Sequence, residues 1–584
     1  MTKSGKERLL GALLILGSVL AAVKLIFVDY SLDEEYQIVM AYRQLSGDNL
    51  FGAMWEPHQT SAFACVFLMR IFTALTGGTT GVVIFLRLMT TLIQALLSVW
   101  LYRVLCRITE REYAFLLGLC YFNIVPKLIQ IPEFSNLQLW SITIIVLALE
   151  NYRNAKNLKT RGRLGYKKEP APHGYKRVLW LVLAGLGMSA SVLAYPADIV
   201  LFPVFLAVIF RLAGKGKSRW THMLLFAATC ALCGGLWLGA VLLQVEPSEF
   251  FRNLRYVVEF DLTHDLSAGQ GGKFYGVLEN FSSLIVLFGL SLAAGSLVYI
   301  AKRQIPFWIA ATVPTVLAAE AVQLYYWLVL HKGYEEPQIH LLAVMLLAVP
   351  AWRYADQRKK QLLPWLISGA VTLAAVLYMS DLVFCYAVPH ALLGILACLL
   401  VLIFALENVL GRERGRVWIR LLLYSLCFLV VFGKGFTLRA GKTDTNTVLG
   451  LRGIMKSGPA AGTLTNYMQA YVNNCDYEDF TAYVEEGDKC LIVTNMVGTG
   501  GTSPYMFRDL EICHFSIVDP TSYDEKLLTY WELYPEKRPN VIVVDCWYGQ
   551  LMEQEDSWIM QFIENDFGYT RMEEGKYVRF YFRE

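Results

Sequence analysis

Three adjacent acids open the first polar segment of the chain, which reads Leu32-Asp33-Glu34-Glu35-Tyr36. A carboxylate beside an apolar surface holds its proton more tightly than one in water, so it is suited to take a proton from an attacking hydroxyl or amine. A solvated loop tolerates acids at any position, and this plainer interpretation stays open. Asp33 and Glu34 are therefore candidate catalytic residues whose role depends on the elements that position them.

Two short helices are predicted to hold these acids at a membrane surface. Apolar residues recur at helical spacing from Tyr36 to Leu45 and end at Ser46-Gly47-Asp48, which predicts an amphipathic helix. Residues 60–76 predict a second helix of this kind. The acids would then lie at the outer rim of the bilayer, where lipid headgroups also lie.

The composition indicates a multi-pass membrane protein. Of the 584 residues, 55% are hydrophobic and 17% are charged, and the mean hydropathy is +0.42. Soluble proteins keep about 25% of their residues charged, so a soluble cytosolic enzyme is excluded. A bilayer core of about 30 Å needs about 20 apolar residues per helix. Thirteen segments are predicted to span it, near 8–28, 81–102, 113–130, 136–150, 178–195, 197–212, 221–244, 281–300, 307–330, 338–351, 364–380, 387–408 and 417–434.

The distribution of charge predicts the orientation. Basic residues accumulate at the N-terminus and in alternate connections, above all in 151–177, and short basic connections stay in the cytoplasm. Residues 435–584 hold 13 Lys and Arg against 23 Asp and Glu. We therefore expect a cytoplasmic N-terminus, an extracytoplasmic C-terminal domain and a bacterial plasma membrane. Membrane lipids account for the basic connections, and no pattern indicates nucleic acid.

The chain is predicted to divide into a transmembrane domain, 1–436, and an extracytoplasmic α/β domain, 437–584. The first external loop is 29–80. In the second domain the hydrophobic runs shorten to strand length. The predicted strands are 490–495, 514–518 and 540–545, the helices are 523–532 and 558–565, and the hairpin pairs 569–572 with 577–582.

Several motifs in the first 210 residues resemble one family of membrane enzymes. They are D-E-x-Y at 33–36, Ala41, Gly47-Asp48, the Trp55-Glu56-Pro57-His58 turn, the Arg87-Leu88 pair, and Ala194-Tyr195-Pro196. In this order they resemble the polytopic C-superfamily (GT-C) glycosyltransferases, in particular the branch of the protein O-mannosyltransferases and lipid A aminoarabinose transferases. The W-W-D-Y-G tail signature of oligosaccharyltransferases is absent, which argues against transfer of whole oligosaccharides to asparagine.

The resemblance implies inverting transfer of a sugar from a polyprenyl-phosphate donor to a glycan, lipid or protein acceptor of the cell envelope. The family's loop carboxylate matches Asp33, with Glu34 beside it and Tyr36 as a substrate contact. A departing lipid phosphate needs cations, because a partly dry site stabilises an anion poorly. The candidates are His58, Arg87, Arg255 and Lys273, and Glu133 is a candidate second acid.

Other interpretations stay open at this point. A transporter or flippase for a lipid or envelope precursor is the alternative function, and a non-catalytic scaffold is a third. Whether a divalent cation joins Asp33 and Glu34 is undetermined, and no other cofactor is expected. Four cysteines of the external domain allow three disulfide pairings, and the sequence does not choose among them: Cys475, Cys490, Cys513 and Cys546.

Overall fold

The computed structural model describes most of the chain. The described residues are 3–28, 32–56, 58–157, 174–214, 217–266, 281–301, 305–334, 338–379, 387–442, 445–493, 513–515, 525–545 and 558–583. The side chains of a few residues at the ends of these ranges, including that of Asp33, are not among those described.

The described part of residues 1–436 is mainly helical. The helices are α1 (Lys3–Phe27), α2 (Leu32–Leu45), α3 (Phe63–Thr76), α4 (Val82–Leu105), α5 (Arg111–Asn123), α6 (Phe134–Asn157), α7 (Gly174–Ala194), α8 (Leu201–Leu212), α9 (Lys217–Leu242), α10 (Pro247–Leu266), α11 (Phe281–Ala301), α12 (Phe307–Leu328), α13 (Ile339–Ala351), α14 (Leu363–Met379), α15 (Leu392–Leu410) and α16 (Arg412–Phe436). Each of the thirteen predicted spans overlaps one of these helices.

Nine helical segments of the described chain are long and apolar enough to cross a bilayer. One of them is 59–76, which the sequence analysis predicts to lie on the surface instead. Among the nine, Val388–Leu410 is the most enclosed, with 94% of its most apolar window buried, so α15 lies at the centre of the bundle. Gly369 on α14 faces Gly394 on α15, where a Cβ would come within 2.5 Å of the opposite Cα, so only glycine permits this approach.

Two predicted boundaries differ from the structure. The predicted span 113–130 ends early, because α5 stops at Asn123 and a 3-10 turn begins at Pro126. No helix is predicted between the spans 221–244 and 281–300, but the first part of this connection forms α10, which begins at Pro247. Proline suits the first position of a helix, and Phe250 and Leu254 of α10 pack on Phe51 and Val245.

The C-terminal domain is built on a five-stranded sheet. Its strands are β5 (Asp488–Val493), β6 (Cys513–Phe515), β7 (Val541–Asp545), β8 (Arg571–Glu574) and β9 (Val578–Phe582), and two small hairpins precede it: β1 (Thr437–Lys442) with β2 (Thr445–Thr447), and β3 (Gly453–Ile454) with β4 (Leu464–Thr465). The order is β6-β5-β7-β9-β8. The first three strands are parallel, and β9 and β8 are antiparallel.

Both faces of this sheet are covered. The helices of the domain are α17 (Tyr467–Tyr483), α18 (Glu525–Leu533) and α19 (Trp558–Phe562). On one face, Phe480 and Val541 share a hydrophobic cluster with Ile38 and Val39 of α2. On the other face, Trp55 of the first loop joins the cluster that contains Ile542. The first loop therefore packs against the C-terminal domain as well as against the membrane helices.

Candidate functional site

A buried ion pair fixes the first turn of α2. The Glu34 carboxylate accepts two hydrogen bonds from Arg87 of α4, from Nε to Oε1 at 2.9 Å and from Nη2 to Oε2 at 2.6 Å. The third nitrogen, Nη1, donates to the carbonyl oxygens of Leu25 at 3.2 Å and Val28 at 3.1 Å. Both charged side chains are at most 3% exposed. Three helices, α1, α2 and α4, are thus joined at one point.

The predicted site residues near the start of α2 have different surroundings. All three nitrogens of Arg87 are engaged by Glu34 and by main-chain carbonyl oxygens of α1, so the guanidinium acts on protein groups in this structure. Asp33 precedes Glu34 in the same helical turn of α2. Tyr36 is half-buried and packs against the cluster that contains Ile38.

Glu133 caps a helix. Its Oε2 accepts the backbone N–H of Ser135 and its Oε1 accepts that of Asn136, each at 2.8 Å. These N–H groups belong to the first turn of α6, which has no internal partners for them, so the carboxylate satisfies both. The carboxylate of Glu133 is buried, and its geometry is that of a structural cap.

His58 lies in an aromatic stack. Its ring is parallel to that of Phe134, at 4.4 Å between centroids, and lies 5.8 Å from that of Tyr195. Lys127 Nζ lies 4.4 Å from the centroid of the same Phe134 ring. His58 and Lys127 both have a positive φ, 59° and 53°. A positive φ is energetically unfavourable for a non-glycine residue, and such positions cluster at functional sites.

A polar chain lies beside this stack. Gln138 Nε2 donates to Asp198 Oδ1 at 2.8 Å, and the Ser191 hydroxyl donates to the other oxygen of Asp198. His390 Nδ1 lies 3.3 Å from Gln138 Oε1, which can only accept, so Nδ1 carries the proton. These hydrogen-bonded side chains link α6, α7 and the 3-10 turns at 196–200 and 388–391.

A second arginine fixes the other end of α2. Arg43 pairs through Nε with Asp48 Oδ2 at 2.6 Å and through Nη1 with the fully buried Glu56, and its Nη2 donates to the carbonyl oxygen of Ala53 at 2.8 Å. Burial by itself would lower the pKa of Arg43, but Glu56, Tyr530 and Asp48 together outweigh burial and raise this pKa. Arg43 also donates to the Tyr530 hydroxyl of the C-terminal domain at 3.3 Å.

The C-terminal domain contributes a lysine to this cluster of charges. Lys537 pairs with Asp48 Oδ1. Burial by itself would raise the pKa of Asp48, but Arg43 and Lys537 overcome it and hold this pKa below its ordinary value. The Tyr530 hydroxyl donates to the carbonyl oxygen of Ala53 at 2.6 Å. The first loop and the C-terminal domain therefore share one network of buried charges.

The helix α10 completes this junction. Tyr256 stacks on Trp55 at 4.5 Å with an interplanar angle of 10°. Asn253 donates to the carbonyl oxygen of Phe51 at 2.7 Å and to the Tyr534 hydroxyl at 2.6 Å. Burial raises the pKa of Tyr534 to about 12. Three distant segments of the chain thus meet at the far end of α2.

The predicted site residues accordingly divide among three places. Glu34 and Arg87 meet at the start of α2, and His58 and Glu133 lie at the start of α6. Arg255 is exposed on α10, beside the junction with the C-terminal domain. Lys273 and the side chain of Asp33 lie outside the described part of the structure. Within that part, no three His, Cys, Asp or Glu side chains come together as ligands for a metal ion.

Sequence reasoning missed three groups of residues: Arg43 with Glu56, Lys127, and the polar chain of Gln138, Asp198 and His390. Lys127 carried a signal, since it lies directly after Pro126 near the end of the predicted span 113–130, and neither residue suits a helix inside a bilayer. Arg43 and Glu56 are thirteen positions apart with opposite charges, and only the folded loop brings them together.

Comparisons with known proteins give structural neighbours alone. No protein-family model and no curated protein sequence matches the chain. ArnT from Cupriavidus metallidurans in the apo state superposes with a TM-score of 0.45 at 13% identity, covering 100% of this chain and 98% of that chain. The oligosaccharyltransferase AglB from Archaeoglobus fulgidus, in complex with an inhibitory peptide and a dolichol-phosphate, gives 0.42 at 12% identity, covering 92% of this chain and 70% of that chain.

A second ArnT structure, bound to undecaprenyl phosphate, superposes with a TM-score of 0.41 at 13% identity. ArnT and AglB are GT-C membrane glycosyltransferases, the superfamily that the first-loop motifs resemble. TM-scores below 0.5 leave this as a similarity, and the function proposed below rests on the residues of the chain itself.

Proposed function

We propose that the protein is an inverting glycosyltransferase that moves a sugar from a polyprenyl-phosphate donor to an envelope acceptor at the outer face of the membrane. One observation carries the proposal. The buried pair of Glu34 and Arg87 holds the first turn of α2, which contains Asp33, against the ends of α1 and α4. A catalytic carboxylate at a membrane surface needs such support, because small displacements cost large factors in rate.

In this proposal Asp33 is the base and Glu34 is a positioning residue. Asp33 takes the proton of the acceptor hydroxyl or amine. At the same time the oxygen or nitrogen of the acceptor bonds to the anomeric carbon of the donor sugar. The bond from that carbon to the phosphate oxygen breaks, and its electron pair leaves with the lipid phosphate. Attack from the opposite side inverts the configuration at the anomeric carbon.

Lys127, as a cation, and His58, as a hydrogen-bond donor, are the groups that we assign to the leaving phosphate. Both contact the Phe134 ring, so the two side chains lie close together at the start of α6, and the 3-10 turn that contains Lys127 packs against the turn at 388–391. A preorganised cation beside a departing anion lowers the barrier most where water is excluded. Arg87 has a different task here, because it orients α2 through Glu34.

Transport is the weaker alternative. A transport path requires ionisable groups along the bilayer midplane. Glu320 of α12 is the deep carboxylate of interest, and it accepts a hydrogen bond from the Ser425 hydroxyl at 3.2 Å, which makes it one member of a helix-to-helix contact.

The decisive experiment compares donor use by the wild type and by Asp33→Asn. Membranes that contain either protein receive a panel of radiolabelled polyprenyl-phosphate sugars, and label in the acceptor fraction is counted. We expect Asp33→Asn to reduce transfer by about 100-fold or more, the usual contribution of a general base. Asp566→Asn, at an exposed position of the C-terminal domain, is the matched control and should retain full transfer.

The amount of extracted, monodisperse protein must be equal for all three forms. Full transfer by Asp33→Asn would remove the catalytic assignment. Flipping of the donor lipid in liposomes by the purified wild type, without any sugar transfer, would replace the glycosyltransferase proposal with the transport alternative.

A further inference from the structure

A pocket of about 410 Å³ lies where the first loop, the end of α9, the start of α10 and the C-terminal domain meet. We call it the junction pocket. Its wall includes Asp48 and Asn49 of the first loop, Gln244 and Glu249 beside the membrane, and Tyr534 and Lys537 of the C-terminal domain. The wall is mainly polar. A recess lined with polar groups offers hydrogen-bond partners to a polar molecule and little apolar surface to an apolar one.

Three of the four charged groups of this wall, Asp48, Glu249 and Lys537, are already paired. Asp48 is held by Arg43 and Lys537, and Glu249 accepts a hydrogen bond from the Tyr534 hydroxyl. These contacts make the wall rigid and neutralise most of its charge. A strongly cationic or anionic ligand would therefore find few counter-charges here.

Four other polar groups of the same wall make no hydrogen bond to the described residues. Among the described residues, the side chains of Ser46 and Asn49 and the carbonyl oxygen of the Gln244 side chain have no hydrogen-bond partner, and neither has the exposed carboxylate of Glu536. Together they offer hydrogen-bond donors and acceptors at short range. A ligand rich in hydroxyl groups satisfies such a set, because each hydroxyl both donates and accepts.

The junction pocket is distant from the proposed base. It begins at Ser46, directly after α2, while Asp33 lies in the first turn of that helix. At about 1.5 Å per residue the two ends of α2 are roughly 20 Å apart. A ligand that reaches both places must be longer than one sugar.

We propose that the junction pocket binds a saccharide unit of an extended glycan acceptor, whose reacting end lies at the start of α2. This inference rests on the proposed function and narrows it, because it selects a glycan chain from the glycan, lipid and protein acceptors. The C-terminal domain supplies one wall of the pocket, so it contributes directly to acceptor choice.

The test fills the pocket from the side of the C-terminal domain. Glu536→Trp places an indole in the pocket, and Glu486→Trp makes the same change at an exposed turn outside it. Binding of chito-, cello- and manno-oligosaccharides of two and six sugars to the purified full chain is measured by isothermal titration. We expect one six-sugar series to bind the wild type and Glu486→Trp, and to bind Glu536→Trp about tenfold more weakly or worse.

A second readout separates this inference from the proposed function. Hydrolysis of the donor, in which water attacks the anomeric carbon and the products are free sugar and polyprenyl phosphate, is measured with no acceptor added, and it should be equal in all three proteins. If donor is consumed and both tryptophan variants bind the oligosaccharides equally, the acceptor inference is wrong and the glycosyltransferase proposal stands. If no six-sugar probe binds the wild type, the inference is likewise wrong. If no form consumes donor, either with water alone or with the membrane acceptor fraction, the proposed function itself fails.

Ser46→Trp fills the pocket from the first loop and guards against a local effect in the C-terminal domain. It should reproduce the loss of six-sugar binding that is expected of Glu536→Trp. Six-sugar binding that survives in Ser46→Trp would contradict a single shared pocket.

Discussion

The two ends of α2 are held by two buried arginines that work in different ways. At the start of the helix, Arg87 binds a single carboxylate, Glu34, in a bidentate manner and fills its remaining contacts with main-chain carbonyl oxygens. At the other end, Arg43 is shared between Asp48 and Glu56 and also reaches the Tyr530 hydroxyl. The first arrangement joins helices of one domain, and the second joins two domains.

This difference separates a rigid anchor from a docking contact. Removing Arg87 would leave Glu34 buried without a counter-charge, since the pair is almost fully enclosed. Removing Arg43 leaves Asp48 with Lys537 as a partner. The start of α2 is therefore built to stay in place, while its other end depends on the presence of the C-terminal domain.

Arg87→Gln is the substitution expected to have the largest effect. Breaking a buried ion pair by removing one partner costs about 3–5 kcal/mol, because the remaining charge is left in an apolar environment. We expect a large loss of thermal stability in detergent, followed by intrinsic tryptophan fluorescence, together with loss of transfer. Arg70→Gln, at an exposed position of α3, is the matched control. A melting temperature unchanged from that of the control would show that the pair does not anchor α2.

Arg43→Gln should have a smaller and more local effect. Glu56 loses its partner, but Asp48 keeps Lys537, so we expect a cost of about 2 kcal/mol, at the low end for buried pairs. The C-terminal domain should detach from the first loop before the membrane helices unfold. Limited proteolysis should therefore release residues beyond 437 faster than in the wild type. Equal cleavage rates in Arg43→Gln and Arg70→Gln would remove the distinction between the two arginines.

The smallest expected effect is that of pH. Because the pKa of Asp48 is below its ordinary value in the folded protein, its charge stabilises docking above the unfolded pKa of about 3.9, and this stabilisation is lost as the pH falls through the folded value. Protease protection of the C-terminal domain should be constant from pH 8 to 5 and weaken only below about pH 4. Asp48→Asn should dock more weakly at neutral pH and lack this acid dependence. An acid dependence that persists in Asp48→Asn would assign it to another group.

Most of the fold follows from patterns that are local in the sequence. Long apolar runs require helices in a bilayer, and each of the thirteen predicted spans overlaps a helix. The strands of the central sheet were predicted because buried parallel strands are continuous runs of aliphatic residues, as in Val541–Asp545. The helix Tyr467–Tyr483 was missed, since its polar and aromatic residues show no clear apolar face. The hairpins β1–β4 were missed because their strands are only two to six residues long.

The candidate site was less predictable, because its contacts join residues far apart in the chain. Glu34 and Arg87 are 53 positions apart, and each was selected by type alone. Their mutual pairing changes their roles, since a bidentate partner occupies the donors that a phosphate would need. Glu133 was selected as an acid at a loop, but its position directly before α6 makes it a helix cap. Charge type identified candidates, and three-dimensional neighbours decided what each one can do.

The contact between the two domains also sets the order of assembly. Arg43 lies 487 positions before Tyr530, and Asp48 lies 489 positions before Lys537. At a synthesis rate of about 5–20 residues per second, the first loop waits roughly half a minute or more before its last partners are made. During that interval the remaining membrane helices are made and inserted, and the end of α2 has no C-terminal domain to contact. Completion of this junction is therefore a late event in biogenesis, and a chain released early would expose the unpaired loop to quality control.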